Sequence, residues 1–174
     1  MGRSITIGMD LGDRNHMVCV LDERGRKIEE CTVACKPAEV RAFCARYPEA
    51  LLAVETGTHS RWVSEVAQEA GLQVLVGNAR KLRAIWQNPQ KSDVKDAEML
   101  ARIARMDPAL LAPIRHRSAR AQQDLAIIKA RDALVRTRTS LILHVRSVCK
   151  GFGHRLTKGG SDAFARKAQI PEGL

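Results

Sequence analysis

The stretch ITIGMDLGDRNHMVCVLD, residues 5–22, decides the architecture. It reads as two strands around a turn. An apolar run ends in Asp10, Leu11-Gly12 turns away at once, and apolar alternation resumes at His16. A carboxylate closing an apolar strand is poorly placed for packing. Either it fixes the turn through an Asx hydrogen bond, or it is held rigidly to do chemistry.

Working outward, residues 4–10, 16–22 and 28–34 each read as strands, and Asp22-Glu23-Arg24-Gly25 joins the second to the third as a hairpin. Pro37 opens a helix with Val40, Phe43 and Cys44 on one face, and Pro48 closes it. LLAVE, 51–55, is a short apolar run that ends in an acid, the pattern of a buried strand in a parallel pairing. A helix from Ser60 to Ala70, a strand over 72–78, a short basic helix from Arg80 to Trp86 and the loop NPQKS follow. A further helix runs from Asp93 to Arg105, with Val94, Ala97, Leu100 and Ala101 facing inward.

The order βββαβαβα predicts an α/β fold: a three-strand meander, then right-handed crossovers that add parallel strands beside the first. That is the ribonuclease H–like topology, a mixed sheet with helices on both faces. A fourth strand parallel to the first places Asp10 and Glu55 at the carboxyl ends of neighbouring strands, where open α/β sheets keep their functional crevice.

Length and composition set bounds. The 174 residues fit one domain with an appendage, and 45% are hydrophobic, enough for a packed core. The start, MGRSITIG, has no signal-like apolar region, and no apolar run is long enough to span a bilayer. Five cysteines are scattered over strands and helices without zinc-ligand spacing, so reduced thiols in a cytosol are expected.

The net charge of +10 is unevenly spread. Residues 1–113 hold 16 Lys and Arg against 15 Asp and Glu, whereas residues 114–174 hold 13 against 4. The basic excess belongs to the tail and predicts a polyanionic partner, nucleic acid before membrane surface. In the same region apolar pairs recur every seven residues: Ile127/Ile128, Leu134/Val135, Leu141/Ile142 and Val148/Cys149. That period predicts a long amphipathic, coiled-coil-like helix packing on another helix, with Arg131, Arg136, Arg138 and Arg146 between the pairs. The predicted organisation is a catalytic unit over 1–113, a basic helix over 114–153 and a poorly ordered stretch over 154–174.

Four acids carry the candidate chemistry. Asp93 and Asp96 are three apart in the first turn of a helix and share a face. Singly, each of the four has an ordinary explanation: a turn for Asp10, a helix dipole for Glu55, capping for Asp93 and Asp96. Jointly, two strand-end carboxylates and two on one helix converge on a single sheet edge, where like charges raise one another's pKa. Hard divalent Mg²⁺, with Mn²⁺ as an alternative, relieves that repulsion, and two such ions support in-line phosphodiester chemistry. Arg80, Lys81, Arg83, Lys91 and Lys95 flank the helix as candidate phosphate contacts. His16 and His59 lie near the strand ends, where ordinary hydrogen bonding is expected before a catalytic part. Trp62 and Trp86 are expected to pack before they stack on bases.

The segments IGMDLGDRNHMVCVLD, AVETGTHSRWVSEVAQEAGLQVLVGN, QKSDVKDAEMLARIA and PIRHRSARAQQDL together resemble the DEDD transposases of the IS-one-ten insertion-sequence family, relatives of the Piv DNA invertases. The likeness covers about residues 4–150. It implies a RuvC-like domain with Asp10, Glu55, Asp93 and Asp96 as a Mg²⁺-binding tetrad. It also implies DNA strand cleavage and exchange guided by a structured RNA from the element, with homodimers or higher oligomers through the 120–150 helix and no membrane. Family members continue into a domain with a nucleophilic serine, so a chain ending at Leu174 is expected to bind metal, RNA and DNA yet to be inactive in recombination alone. The alternatives are a non-catalytic RNA- and DNA-binding dimerisation module and, since IGMDLGD also opens actin- and hexokinase-like folds, half of an ATPase.

Overall fold

The computed structural model describes residues 5–81, 93–156 and 159–168. The chain divides into two compact units, Met1–His116 and Arg117–Leu174. The first contains strands β1 (Thr6–Asp10), β2 (Asn15–Leu21), β3 (Lys27–Ala34), β4 (Leu51–Glu55) and β5 (Gln73–Gly77), with helices α1 (Pro37–Cys44), α2 (Ser60–Glu69) and α3 (Asp93–Met106) and a 3₁₀ turn at Pro108–Leu111. The second contains α4 (Ala119–Gly151) and the short α5 (Phe164–Lys167).

The five strands form one sheet in the order β3-β2-β1-β4-β5. β1 pairs antiparallel with β2 and parallel with β4, and β5 extends the parallel half. This is the ribonuclease H–like arrangement predicted from the element order. The β2–β3 hairpin closes through Asp22, whose carboxylate accepts from the backbone N–H groups of Arg24 and Arg26, both at 2.9 Å, while Gly25 takes φ +76°. Only glycine adopts that conformation without strain.

Alternation along the strands sorts the core into two layers. Ile7, Met9, Val18, Val20, Leu52 and Val54 pack on one face with Val40 and Phe43 of α1 and Val63 and Ala67 of α2. Leu51 and Ala53 turn to the other face, against Leu100, Ile103 and Ala104 of α3, and Cys19 and Leu21 meet Ala97 and Ala101 there. Ile103 and Ala104 extend the inward face of α3 beyond the positions expected from sequence. Gly8 shows how close this second layer lies: a Cβ on it would stand 1.9 Å from the carbonyl oxygen of Ala97 and 2.6 Å from the amide nitrogen of Ala101.

The basic helix Arg80–Trp86 and the loop NPQKS lie almost wholly outside the described residues, which hold only Arg80 and Lys81 of them. In the second unit, α4 runs 33 residues from an N-cap at Ser118, whose side chain accepts from the Ala121 N–H. Ile127, Ile128, Leu134 and Leu141 on α4 are all well exposed. Arg138 pairs with Asp162 at 2.6 Å, and the Arg146 guanidinium lies over the Phe164 ring. All five cysteines are free thiols. No helix among the described residues is long and apolar enough to cross a membrane.

Candidate active site

Strand register brings the first two acids together. β1 and β4 run in parallel with Met9 opposite Val54, so Asp10 and Glu55, one step further, close neighbouring strands at the same level. Alternation turns both to the α3 face, since Met9 and Val54 belong to the opposite layer. Both side chains are partly exposed at that edge.

Helix α3 brings the other two. Ala97 and Ala101 lie directly on Gly8, two residues before Asp10 and on its face of the sheet. Asp96 adjoins Ala97, and Asp93 stands one turn earlier in the helix. Burial pushes the Asp10 carboxyl from 3.8 up to about 6, and the negative charges of Asp93, Asp96 and Glu55 add to that push in turn. A bond from the Leu11 backbone N–H opposes it. All three other acids therefore act on Asp10. Among the described residues, however, no three His, Cys, Asp or Glu side chains already stand as the ligand set of one ion. Carboxylates repel one another until a cation is between them. The donor set itself, four carboxylates at a sheet edge, fits a hard divalent cation.

Beside this edge lies an imidazole cluster on the α2 face. His16 is fully buried, and its ring centroid stands 5.8 Å from that of Trp62 and 6.1 Å from that of His59. Neither nitrogen of His16 makes a well-formed hydrogen bond. Burial holds it below the usual histidine range, His59 adds to that effect, and the Gly12 backbone offsets it only in part. His59 Nδ1 accepts from Trp62 Nε1–H at 3.2 Å. The proton of neutral His59 is thereby assigned to Nε2, which faces the Asp13 carboxylate at 3.3 Å. His16 is thus a core residue and Trp62 a packing and hydrogen-bonding one.

The expected cations distribute unevenly. Arg80 and Lys81 are exposed just past β5, and Lys95 is exposed beside Asp96 on α3. Arg83 and Lys91 lie outside the described residues. Arg131, Arg136, Arg138 and Arg146 all lie on α4, and Arg136 pairs with Asp132 at 3.0 Å. Sequence reasoning missed two side chains just past the carboxyl ends of β4 and β5, Thr56 and Asn78, which with Arg80 line a cavity of about 530 Å³. It also missed the part played by Gly8. A glycine inside an apolar strand signals close backbone approach, and that signal was available.

A family model for DEDD transposases of the IS110 (IS-one-ten) type, described as a transposase, matches residues 7–153. The chain belongs to this transposase family. Among curated proteins, a probable family 20 transposase of Pseudomonas aeruginosa is 28% identical over 158 residues, 90% of this chain and 45% of that protein. The chain thus spans a little under half the length of that relative. Among solved structures, Thermus thermophilus RuvC aligns over 59% of this chain and 96% of its own, at 17% identity and a TM-score of 0.42. The acids Asp10, Glu55, Asp93 and Asp96 all lie inside the segment matched to the DEDD transposase family.

Proposed function

We propose that Asp10, Glu55, Asp93 and Asp96 form the divalent-cation centre of a DNA-cleaving transposase domain, which acts in strand exchange guided by a structured RNA. The observation that carries this reading is the raised proton affinity of Asp10, in which all three other acids take part. Four carboxylates concentrated at one sheet edge destabilise the protein unless something neutralises them. Mg²⁺ or Mn²⁺, when bound there, supplies polarisation of a phosphodiester and activation of the attacking oxygen.

The chain's own residues do the positioning. β1 and β4 hold Asp10 and Glu55 side by side on a rigid sheet. The seating of Ala97 on Gly8 sets the height of Asp93 and Asp96 above them. Arg80, Lys81 and Lys95 offer cations at the rim for the phosphate backbone. The α4 arginines provide a second electrostatic footprint for DNA and guide RNA, and the exposed apolar repeat of α4 supports homodimers or higher oligomers. Such a protein works beside the chromosome in the cytoplasm.

The test is cleavage of branched DNA with and without RNA, in Mg²⁺ or in EDTA, comparing wild type with Asp10→Asn. Metal-dependent cleavage lost in the variant supports the reading. Equal metal affinity and equal cleavage in both proteins would falsify it. One observation favours a second reading, a non-catalytic nucleic-acid-binding and dimerisation module: no closed ligand set stands among the described residues. Metal-independent DNA binding with no cleavage under any condition would select it.

A further inference from the structure

We propose that the cavity lined by Thr56, Asn78, Ala79, Arg80 and Ile114 is a subsite for one non-scissile phosphodiester of the DNA strand. This rests on the reading of the adjacent acids as a nuclease centre and adds the seat that registers the strand against them.

The cavity, about 530 Å³, opens at the carboxyl ends of β4 and β5. Its walls are built from backbone. The Thr56 N–H bonds the Gly77 carbonyl at 3.0 Å, the Asn78 N–H bonds the Leu111 carbonyl at 2.9 Å, and the Ile114 N–H bonds the Val76 carbonyl at 2.9 Å. Thr56 follows Glu55 directly in the chain, so the cavity opens at the same end of the sheet as the acids.

Hydrogen-bond bookkeeping gives its chemistry. Thr56 Oγ1 accepts from the Ala79 N–H at 3.0 Å, which leaves the hydroxyl proton to be donated elsewhere. Asn78 Oδ1 accepts from the Arg80 N–H at 3.1 Å, so the oxygen is engaged and the amide NH₂ remains to donate. The Arg80 side chain is exposed. The polar side chains among the described lining residues are therefore a hydroxyl, an amide and a guanidinium, each with donors on offer, and none of those residues is a carboxylate. Such a set selects an anion, and Arg binds phosphate oxygens in a fork. A backbone phosphate fits this chemistry.

The experiment measures DNA affinity in EDTA, so that binding is read without cleavage. Asn78→Asp keeps the oxygen that accepts from Arg80 N–H but replaces the donor with a negative charge. Arg80→Gln changes only an exposed side chain and covers the case in which Asn78→Asp fails to fold. Each should weaken binding of a branched DNA about tenfold, the scale of one charge-assisted contact. Arg80→Gln should also lower the salt slope by roughly 0.9. With a set of DNAs each carrying one neutral methylphosphonate, the penalty should vanish for a single position. Competition by inorganic phosphate that leaves the methylphosphonate series flat would show a free-anion pocket instead and overturn the proposal. Unchanged affinity in both variants would overturn it too. Neither result touches the acids, whose own test is metal-dependent cleavage by the wild type.

Discussion

A side chain at Gly8 would put its Cβ 1.9 Å from the carbonyl oxygen of Ala97, so helix α3 rests on bare strand backbone two residues before Asp10. That approach makes the placement of Asp93 and Asp96 depend on a residue with no functional group.

Gly8→Ala should therefore destabilise the fold by about 3 kcal/mol, the upper part of the overpacking range, because the atoms met are backbone and cannot rotate away. Urea denaturation measures it. A loss below about 0.5 kcal/mol, ordinary for a surface change, would mean that α3 does not rest on this strand.

Asp10→Asn should stabilise the metal-free protein, because it removes a partly buried charge that three acids repel. The gain is about 1 kcal/mol once solvent screening is allowed for. Mg²⁺ should then raise the melting temperature of the wild type and leave the variant unmoved. Equal Mg²⁺ shifts in both proteins would count against a shared site.

His16 makes stability depend on pH. Its folded pKa lies below the value of about 6.5 that it has when unfolded, so below that pH the unfolded chain binds the proton more tightly. Stability is fully present above the unfolded pKa and is lost as pH falls towards the folded one. Asp10 works in the opposite sense, since its raised pKa lets the folded state keep a proton that the unfolded state has released between about 4 and 6. His16→Leu should therefore flatten the loss below pH 6.5 without altering the Asp10 contribution. Parallel acid limbs in wild type and variant would contradict the buried neutral imidazole.

The tail carries a salt prediction. Replacing Arg131, Arg136 and Arg146 with Gln should reduce the slope of log affinity against log salt by up to roughly 2.7, since each phosphate contact contributes about 0.9. An unchanged slope, read by fluorescence anisotropy, would move the contacts off α4.

Oligomers supply the last prediction. Leu134 is 72% exposed and Leu141 61%, far more than solitary leucines in a folded unit require. If a second copy covers them at the heptad spacing, Leu134→Asp with Leu141→Asp should convert the protein to monomer in sedimentation velocity. An unchanged mass distribution would place any self-association elsewhere.

The element order was legible because each device that sets it is local. Period-two alternation marks β1 to β3, Asp22 to Gly25 form a hairpin turn, Pro37 opens α1, and the apolar run Leu51–Glu55 pairs in parallel. These regularities depend on side-chain sequence and backbone chemistry over a few residues. The seven-residue repeat of α4 was legible for the same reason. Asp10 and Glu55 could be suspected from their places at strand ends.

Tertiary structure alone decided the rest. How near Asp93 and Asp96 come to Asp10 depends on how closely α3 approaches β1, which is set by the missing side chain of Gly8 and the small one of Ala97, across nearly ninety residues of chain. Whether His16 is a core residue or a solvent-facing base depends on Trp62 and His59 packing over it. Thr56 and Asn78 become neighbours around one cavity only because β4 and β5 pair in register. Burial, charge proximity and cavity shape arise between segments distant in sequence, and no window along the chain contains them.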